Sequence, residues 1–182
     1  EAADPAGGGM KVSLDAIKAL REQTRASLND CRTALESSGG DQQKALEWLR
    51  QRGAEIAKTR QGRVAAQGRV ESYVHHDGRL GVIVEVNCET DFVARTPEFV
   101  QFCRDVAMHV AAMDPRGITP EEATDGTPRG ADVSSIALLT QPFVKDQGTT
   151  VGDLLKTLIA KTGENVVIRR FTRFAVGDTA QP

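Results

Sequence analysis

The stretch Asn87-Cys88-Glu89-Thr90-Asp91-Phe92-Val93-Ala94-Arg95-Thr96-Pro97-Glu98-Phe99 joins two regular elements, and its reading fixes how the rest of the chain is arranged. Upstream, Leu80-Gly81-Val82-Ile83-Val84-Glu85-Val86 is a β-branched apolar run with the composition of a buried or half-buried strand. Downstream, Thr96-Pro97-Glu98 has the chemistry of a helix start. It offers a hydroxyl cap, a proline whose missing N–H is not needed at the first helical position, and an acid near the positive end of the helix dipole. Asp91 and Phe92 therefore fall at the tip of a strand-to-helix connection. Residue types alone allow two readings of the pair: a turn former beside a core plug, or a rigid aromatic and a carboxylate offered to another protein.

Working outward, Val70 to His76 alternates as a strand, Asp77-Gly78 is a hairpin turn, and Arg79 to Asn87 returns. The neighbours His75 and His76 are expected to point to opposite faces of that strand and so not to share a metal ion. The helix from Pro97 is expected to bury Phe99, Cys103, Val106, Val110 and Met113, with Phe102, Asp105 and His109 on a neighbouring face. Residues 114–135 are broken by Pro115, Gly117, Pro120, Gly126, Pro128 and Gly130 and read as an irregular loop. Ile136 to Val144 reads as a strand that Pro142 confines to an edge or bulge. Thr150 to Lys161 is a helix with Val151, Leu154, Leu155, Leu158 and Ile159 inward, closed near Gly163. Val166 to Val176 is a long strand whose Arg169, Arg170 and Arg173 are expected on an exposed face. The core over 69–182 is thus α+β: a small antiparallel sheet with helices packed on one side.

Ahead of the core, apolar residues fall at helical spacing in three short runs: Leu14, Ile17 and Leu20 after a Ser13 cap; Leu28, Cys31 and Leu35; and Ala45, Leu46 and Leu49 from Asp41 until Gly53 stops the helix. Helices this short are marginal alone, so they must bury their stripes together as a bundle over 11–53; Trp48 either packs at its margin, the commoner role of a single aromatic at helical spacing, or meets a partner. Residues 54–68, rich in Lys, Arg, Gln and Ala, read as an exposed helical arm and linker, and residues 1–10 as a disordered leader.

The 182 residues are 40% hydrophobic and 26% charged, an ordinary globular composition. Lys and Arg number 23 against 25 acids, for a formal charge of −2, which argues against a dedicated nucleic-acid binder. Cys31, Cys88 and Cys103 are odd in number and widely spaced, as buried thiols in a reducing compartment would be, rather than a disulfide frame or zinc site. No apolar run reaches the ~18 residues of a membrane span. There is no Ser/His/acid set in its motif, no phosphate-cradling glycine loop and no metal-ligand spacing, so no catalytic residues, cofactor or metal is expected.

Asn87 to Arg95 resembles the signature of elongation factor Ts, the guanine-nucleotide exchange factor for elongation factor Tu. Leu20-Arg21-Glu22-Gln23-Thr24, Asp30-Cys31, Gln141-Pro142-Phe143-Val144 and Gly163-Glu164-Asn165 carry the same resemblance in the family's order. It implies a ubiquitin-associated (UBA)-like bundle followed by the core. The partner it implies is elongation factor Tu, GDP-bound and nucleotide-free, with neither direct nucleic acid nor membrane as a target. Thr90, Asp91, Phe92 and Val93 become the partner-binding tip that dislocates Mg²⁺, and Ala107-Met108-His109-Val110-Ala111 matches a family run whose histidine touches the partner. Met108 and His109, with Thr24, Leu28 and Asp30 of the bundle turn, are the secondary contacts. Residues 25–29 read Arg-Ala-Ser-Leu-Asn where the family pattern is Gly-Ala-Gly-Met-Met, and the 114–135 segment is shorter in helical material than in most members. The same resemblance leaves open a homodimer through the core sheet, and a cytoplasmic site in a bacterium or a plastid stroma or mitochondrial matrix in an organelle. Two rival classes remain at this point: a ubiquitin- or peptide-binding adaptor using the bundle, and a ribosome-associated protein held through the basic arm and terminal arginines.

Overall fold

The computed structural model describes residues 12–124 and 132–178. The expected leader and part of the expected 114–135 loop lie outside them. Three helices come first, α1 (Leu14–Thr24), α2 (Leu28–Ser37) and α3 (Gln42–Arg60). Ser13, Ser27 and Asp41 cap them, each accepting a first-turn N–H through its side chain. Ile17, Leu20, Cys31, Ala34, Leu35 and Ala45 form their common core, with Leu46, Trp48 and Leu49 packed on it. Leu14, expected in the stripe, is 74% exposed because it opens the first turn, beyond the reach of the other helices.

Gly53 does not end α3, which continues to Arg60. The glycine is buried, and a Cβ built on it would lie 3.8 Å from the Lys156 carbonyl oxygen. That is ordinary van der Waals contact, so the space would admit a methyl group as well; α3 packs closely on another helix here, and that packing carries it past a residue that costs ~1 kcal/mol in a helix interior. Ile56 and Ala57 then pack on the second core, so the segment read as an exposed arm is half embedded.

The strands β1 (Gln67–Val74) and β2 (Leu80–Cys88) form the expected hairpin around Asp77-Gly78. After them come the single turn α4 (Asp91–Ala94), the long α5 (Pro97–Met113), and two further turns, α6 (Pro120–Ala123) and α7 (Val133–Ile136). A small hairpin of β3 (Pro142–Phe143) and β4 (Asp146–Thr150) leads into α8 (Val151–Thr162) and the closing strand β5 (Val167–Ala175). β5 pairs antiparallel with β2, which gives the order β1-β2-β5. Val82, Val84, Val86 and Ile168 face α5 and are buried, while Val70, Val74, Ile83 and Phe174 stand exposed on the other face. The fold is α+β, with helices on one side of a small antiparallel sheet.

Four local readings are corrected. Ile136 to Val144 is not a strand. Ala137 and Leu138 are buried as part of a turn, and the ladder shrinks to Pro142–Phe143, where proline can donate nothing. On α5, Met113 is 38% exposed, whereas Phe102, Asp105 and His109 are buried. The helix is covered on two sides because it also meets α8 and the small hairpin, and Met113 ends it. His75 and His76 lie beyond the end of β1, so strand alternation does not separate them, and their ring centroids are 4.3 Å apart. Arg173 faces inward rather than outward, its Nε 3.4 Å from the Ala111 carbonyl and 3.6 Å from Asp114 Oδ1.

Candidate functional site

β2 delivers the chain to Cys88, whose side chain is buried and whose Sγ donates to the Thr90 carbonyl at 3.1 Å. Burial, followed by the nearby Glu164 charge, pushes this thiol up to about 11, so it stays protonated and structural. Thr90 then caps α4: its Oγ1 accepts from Val93 N at 3.3 Å. Thr96 repeats the device for α5, accepting from Phe99 N at 3.3 Å while donating to the Val93 carbonyl at 2.9 Å, with Pro97 in the first turn. α4 is therefore held by a cap at each end. Ala94 is buried, Val93 is half-buried against the core, and Phe92 is 79% exposed. Asp91 is half-exposed, and its Oδ2 lies 2.9 Å from Arg95 Nη2.

The four residues expected at the tip are thus together on one turn, and the ring is presented outward. The core-plug reading of Phe92 is excluded, because the plug of this region is Phe99, at 0% exposure.

The expected secondary contacts fare differently. Leu28 is 53% exposed at the start of α2. Thr24 is turned inward, donating to the Leu20 carbonyl at 2.7 Å and accepting from Ala26 N at 3.3 Å. Asp30 closes a reciprocal cap with Ser27, accepting from Ser27 Oγ at 2.6 Å while its own N–H donates to that oxygen at 3.1 Å. Between them, Arg25 adopts φ 59°, a left-handed conformation that a glycine would occupy without strain.

His109 is not a surface residue in this chain, at 0% exposure. Its Nδ1 accepts from Val144 N at 3.2 Å, so Nε2 carries the proton and donates to Gln141 Oε1 at 2.9 Å. Burial holds its pKa below 6.5, against the opposing effect of the Gln141 bond. The ring stacks on Phe143 with centroids 6.0 Å apart. Gln141 continues the chain, donating to the Ser135 carbonyl at 2.8 Å. The histidine is thus an internal tie between α5 and the small hairpin. Met108 beside it is half-buried against the core.

Sequence reading missed two groups. Asp105, 2% exposed, is bonded by Arg25 Nη1 at 2.9 Å, Lys145 Nζ at 2.8 Å and Gln101 Nε2 at 3.0 Å, which joins bundle, core helix and hairpin. Burial raises its pKa, and the bonds from Lys145, Arg25 and Gln101 together outweigh that and hold it below the usual 3.8. An acid at i+3 from Phe102, on the helix face it shares with His109, was the available signal of a paired carboxylate. The other is Glu164, whose carboxylate meets the base of the tip. Among the described residues, no group of three or more His, Cys, Asp or Glu could hold a metal ion, and no helix is long and apolar enough to cross a membrane.

Comparison with known proteins sets this geometry in a family. The sequence profile described as "Elongation factor TS" matches residues 11–127. The chain is similar to the elongation factor Ts of Rubrobacter xylanophilus, 47% identical over 91% of this chain and 99% of the relative. It is similar also to those of Carboxydothermus hydrogenoformans, 42% identical over 92% and 90%, and Rippkaea orientalis, 41% identical over 92% and 79%. With a profile spanning most of its length and relatives matched nearly from end to end, the chain belongs to the elongation factor Ts family of translation elongation factors.

Proposed function

We propose that the chain is a guanine-nucleotide exchange factor without covalent chemistry of its own. It binds elongation factor Tu in the GDP-bound and nucleotide-free forms, dislocates the Mg²⁺ held there and promotes GDP release so that GTP can rebind. One observation carries the reading: Phe92 stands 79% exposed on a turn capped at both ends. A phenylalanine left in water forgoes ~2 kcal/mol of burial within its own chain, and that energy remains for a partner's apolar pocket.

An exchange factor must bind its partner more tightly when nucleotide and metal are loosened than when both are held. A 10⁴-fold loosening requires about 5.5 kcal/mol of differential binding. A buried aromatic anchor contributes roughly 2 kcal/mol or more, so Phe92 accounts for part and a second surface supplies the rest. Asp91 acts on the polar network around the ion, exchanging Arg95 for groups of the partner. Losing Mg²⁺ leaves the phosphate charge uncompensated, and GDP departs. The bundle over 11–53 is the second docking module, with Leu28 as its apolar contact, and covalent linkage of two contacts raises their effective concentration. Thr24 and Asp30 shape that turn more than they touch the partner. The exposed strip of Val70, Val74, Ile83 and Phe174 supports pairing of two copies through the sheet, which sedimentation at micromolar concentration tests. On this reading the protein works wherever that partner does: a bacterial cytoplasm, or else a plastid stroma or mitochondrial matrix.

The test is stopped-flow release of fluorescent GDP from a bacterial elongation factor Tu. The unaltered chain accelerates it, and Phe92→Ala needs a roughly 30-fold higher concentration for the same acceleration. Equal acceleration by both proteins would remove Phe92 as the wedge.

A further inference from the structure

Resting on that reading of Phe92, we propose that Glu164 is the positioning residue of the tip: its carboxylate fixes the Thr90 cap and so presents Phe92 in the orientation the partner meets. Glu164 follows Gly163, the left-handed end of α8 at φ 71°, a conformation that turns the chain sharply toward the end of β2. Glu164 Oε2 accepts from the N–H of Glu89 at 3.1 Å and of Thr90 at 3.0 Å. Glu164 Oε1 accepts from Thr90 Oγ1 at 2.6 Å. The exchange is mutual, since Glu89 Oε1 accepts from Asn165 N at 2.6 Å while Glu89 Oε2 lies 3.6 Å from Arg63 Nη1. Two loops distant in sequence thus trade a carboxylate for backbone N–H groups.

The short bond to Thr90 decides what the hydroxyl can do. A threonine has one hydroxyl proton; donated to Glu164, it leaves the oxygen lone pairs free to receive Val93 N–H, which is the bond that starts α4. A helix of four residues cannot order itself, because nucleation fixes several dihedrals for one hydrogen bond. Phe92 adds no burial of its own to hold that turn. The clamp therefore settles the tip before the partner arrives, and binding is spared the ordering of that turn. A charged acceptor suits the place. Three donors converge on two oxygens, and a glutamine in the same space would offer one acceptor and set its amide hydrogens against N–H donors.

The test is a double-mutant cycle with the full chain, Glu164→Gln against Phe92→Ala, read as GDP release from elongation factor Tu over a range of exchange-factor concentrations. Glu164→Gln is expected to raise the half-saturating concentration about fivefold with the maximal rate nearly unchanged, the size of one or two weakened charge-assisted bonds. In the Phe92→Ala background the same change has less than about a 1.5-fold effect, because there is no ring left to position. Amide hydrogen exchange at Phe92, Val93 and Ala94 rises about tenfold in Glu164→Gln, while amides in the middle of α5 keep their protection. Thr90→Val, which removes the relay and leaves the carboxylate, shifts the half-saturating concentration about threefold and serves where the glutamine variant is poorly folded. An equal penalty in both backgrounds, or unchanged exchange at the tip amides, overturns the proposal. Full activity of Phe92→Ala alone overturns the wedge reading instead, and this proposal with it.

Discussion

Phe92 and His109 lie on successive helices, α4 and α5, and stem from one family resemblance, yet the fold treats them oppositely. Phe92 is 79% exposed on a single turn, and His109 is 0% exposed in the middle of a long helix with both ring nitrogens bonded. A residue type aligned with a partner-binding pattern does not by itself say where the energy of that residue is realised. At the tip it is not realised within the chain, because the ring stands in water. Inside α5 it is already used to tie the β3–β4 hairpin to the core.

The largest effect expected from this contrast is on stability. Replacing His109 by alanine removes a buried ring, leaves Gln141 Oε1 and Val144 N–H without their partner, and opens space against Phe143, for a loss of about 3 kcal/mol in urea unfolding. The folded fraction of His109→Ala should still release GDP from elongation factor Tu at close to the unaltered maximal rate. A variant that is stable yet inactive would return the histidine to the partner interface.

Phe92→Ala should show the reverse signature. Its unfolding free energy stays within about 0.5 kcal/mol of the unaltered chain, since an exposed ring has little to lose. Its affinity for elongation factor Tu drops by about 2 kcal/mol, or roughly 30-fold, by isothermal titration or release kinetics. Destabilisation of the free chain by more than 1 kcal/mol would mean that the ring packs within its own molecule.

The same contrast marks what could be read from residues alone. The caps at Ser13, Ser27, Asp41, Thr96 and Thr150, the Asp77-Gly78 turn and the glycine closing α8 are local chemistry, and each helix these caps open begins close to where the sequence put it, although α3 runs on past its expected end. The place of the tip was legible for the same reason, since a strand before it and a Thr96-Pro97 helix start after it set Asp91 and Phe92 in the connection between; the outward ring was implied only by the family resemblance, and the Thr90 cap was not read. Long-range matters were not legible. That α3 runs past Gly53 to pack on α8, that His109 faces the hairpin and that Glu164 reaches the base of the tip all depend on which elements meet in space. Periodicity marks a helix face as apolar without saying how many neighbours cover the helix, which is why the burial of Phe102 and Asp105 was missed and Met113 misassigned.

Acid should separate the two regions next. His109 has its pKa lowered by burial, so the folded chain resists the proton that the unfolded chain accepts near 6.5. Its contribution is intact above that pH and declines on acidification, with a limiting slope of about 1.4 kcal/mol per pH unit while only the unfolded form is protonated. Asp105 is depressed from 3.8 and so keeps its contribution through this window, losing it only below that value as its carboxylate is forced to protonate. Urea midpoints measured from pH 7.5 downward should therefore begin to fall near pH 6.5 in the unaltered chain and in Phe92→Ala alike. They should fall less steeply in His109→Gln. A slope that persists in His109→Gln would assign the early acid sensitivity to another group.

The smallest effect concerns the junction one turn along α5, where Arg25 reaches Asp105. Arg25 sits at φ 59°, and a side chain in that conformation is about 1 kcal/mol less favourable than glycine. Its guanidinium is half exposed, so the pair with Asp105 is partly screened, and Lys145 and Gln101 remain on the carboxylate when it is gone. Arg25→Ala loses the bond and keeps the strain. Arg25→Gly loses the same bond but relieves the strain, less a part returned through the greater freedom of glycine in the unfolded chain. The glycine variant should therefore be more stable than the alanine variant by up to about 1 kcal/mol in urea unfolding, the inverse of the usual order in a helix. Equal stability of the two would show that residue 25 relaxes out of the left-handed region once its bond to Asp105 is removed, making the ion pair, rather than the chain turn between α1 and α2, the cause of that conformation.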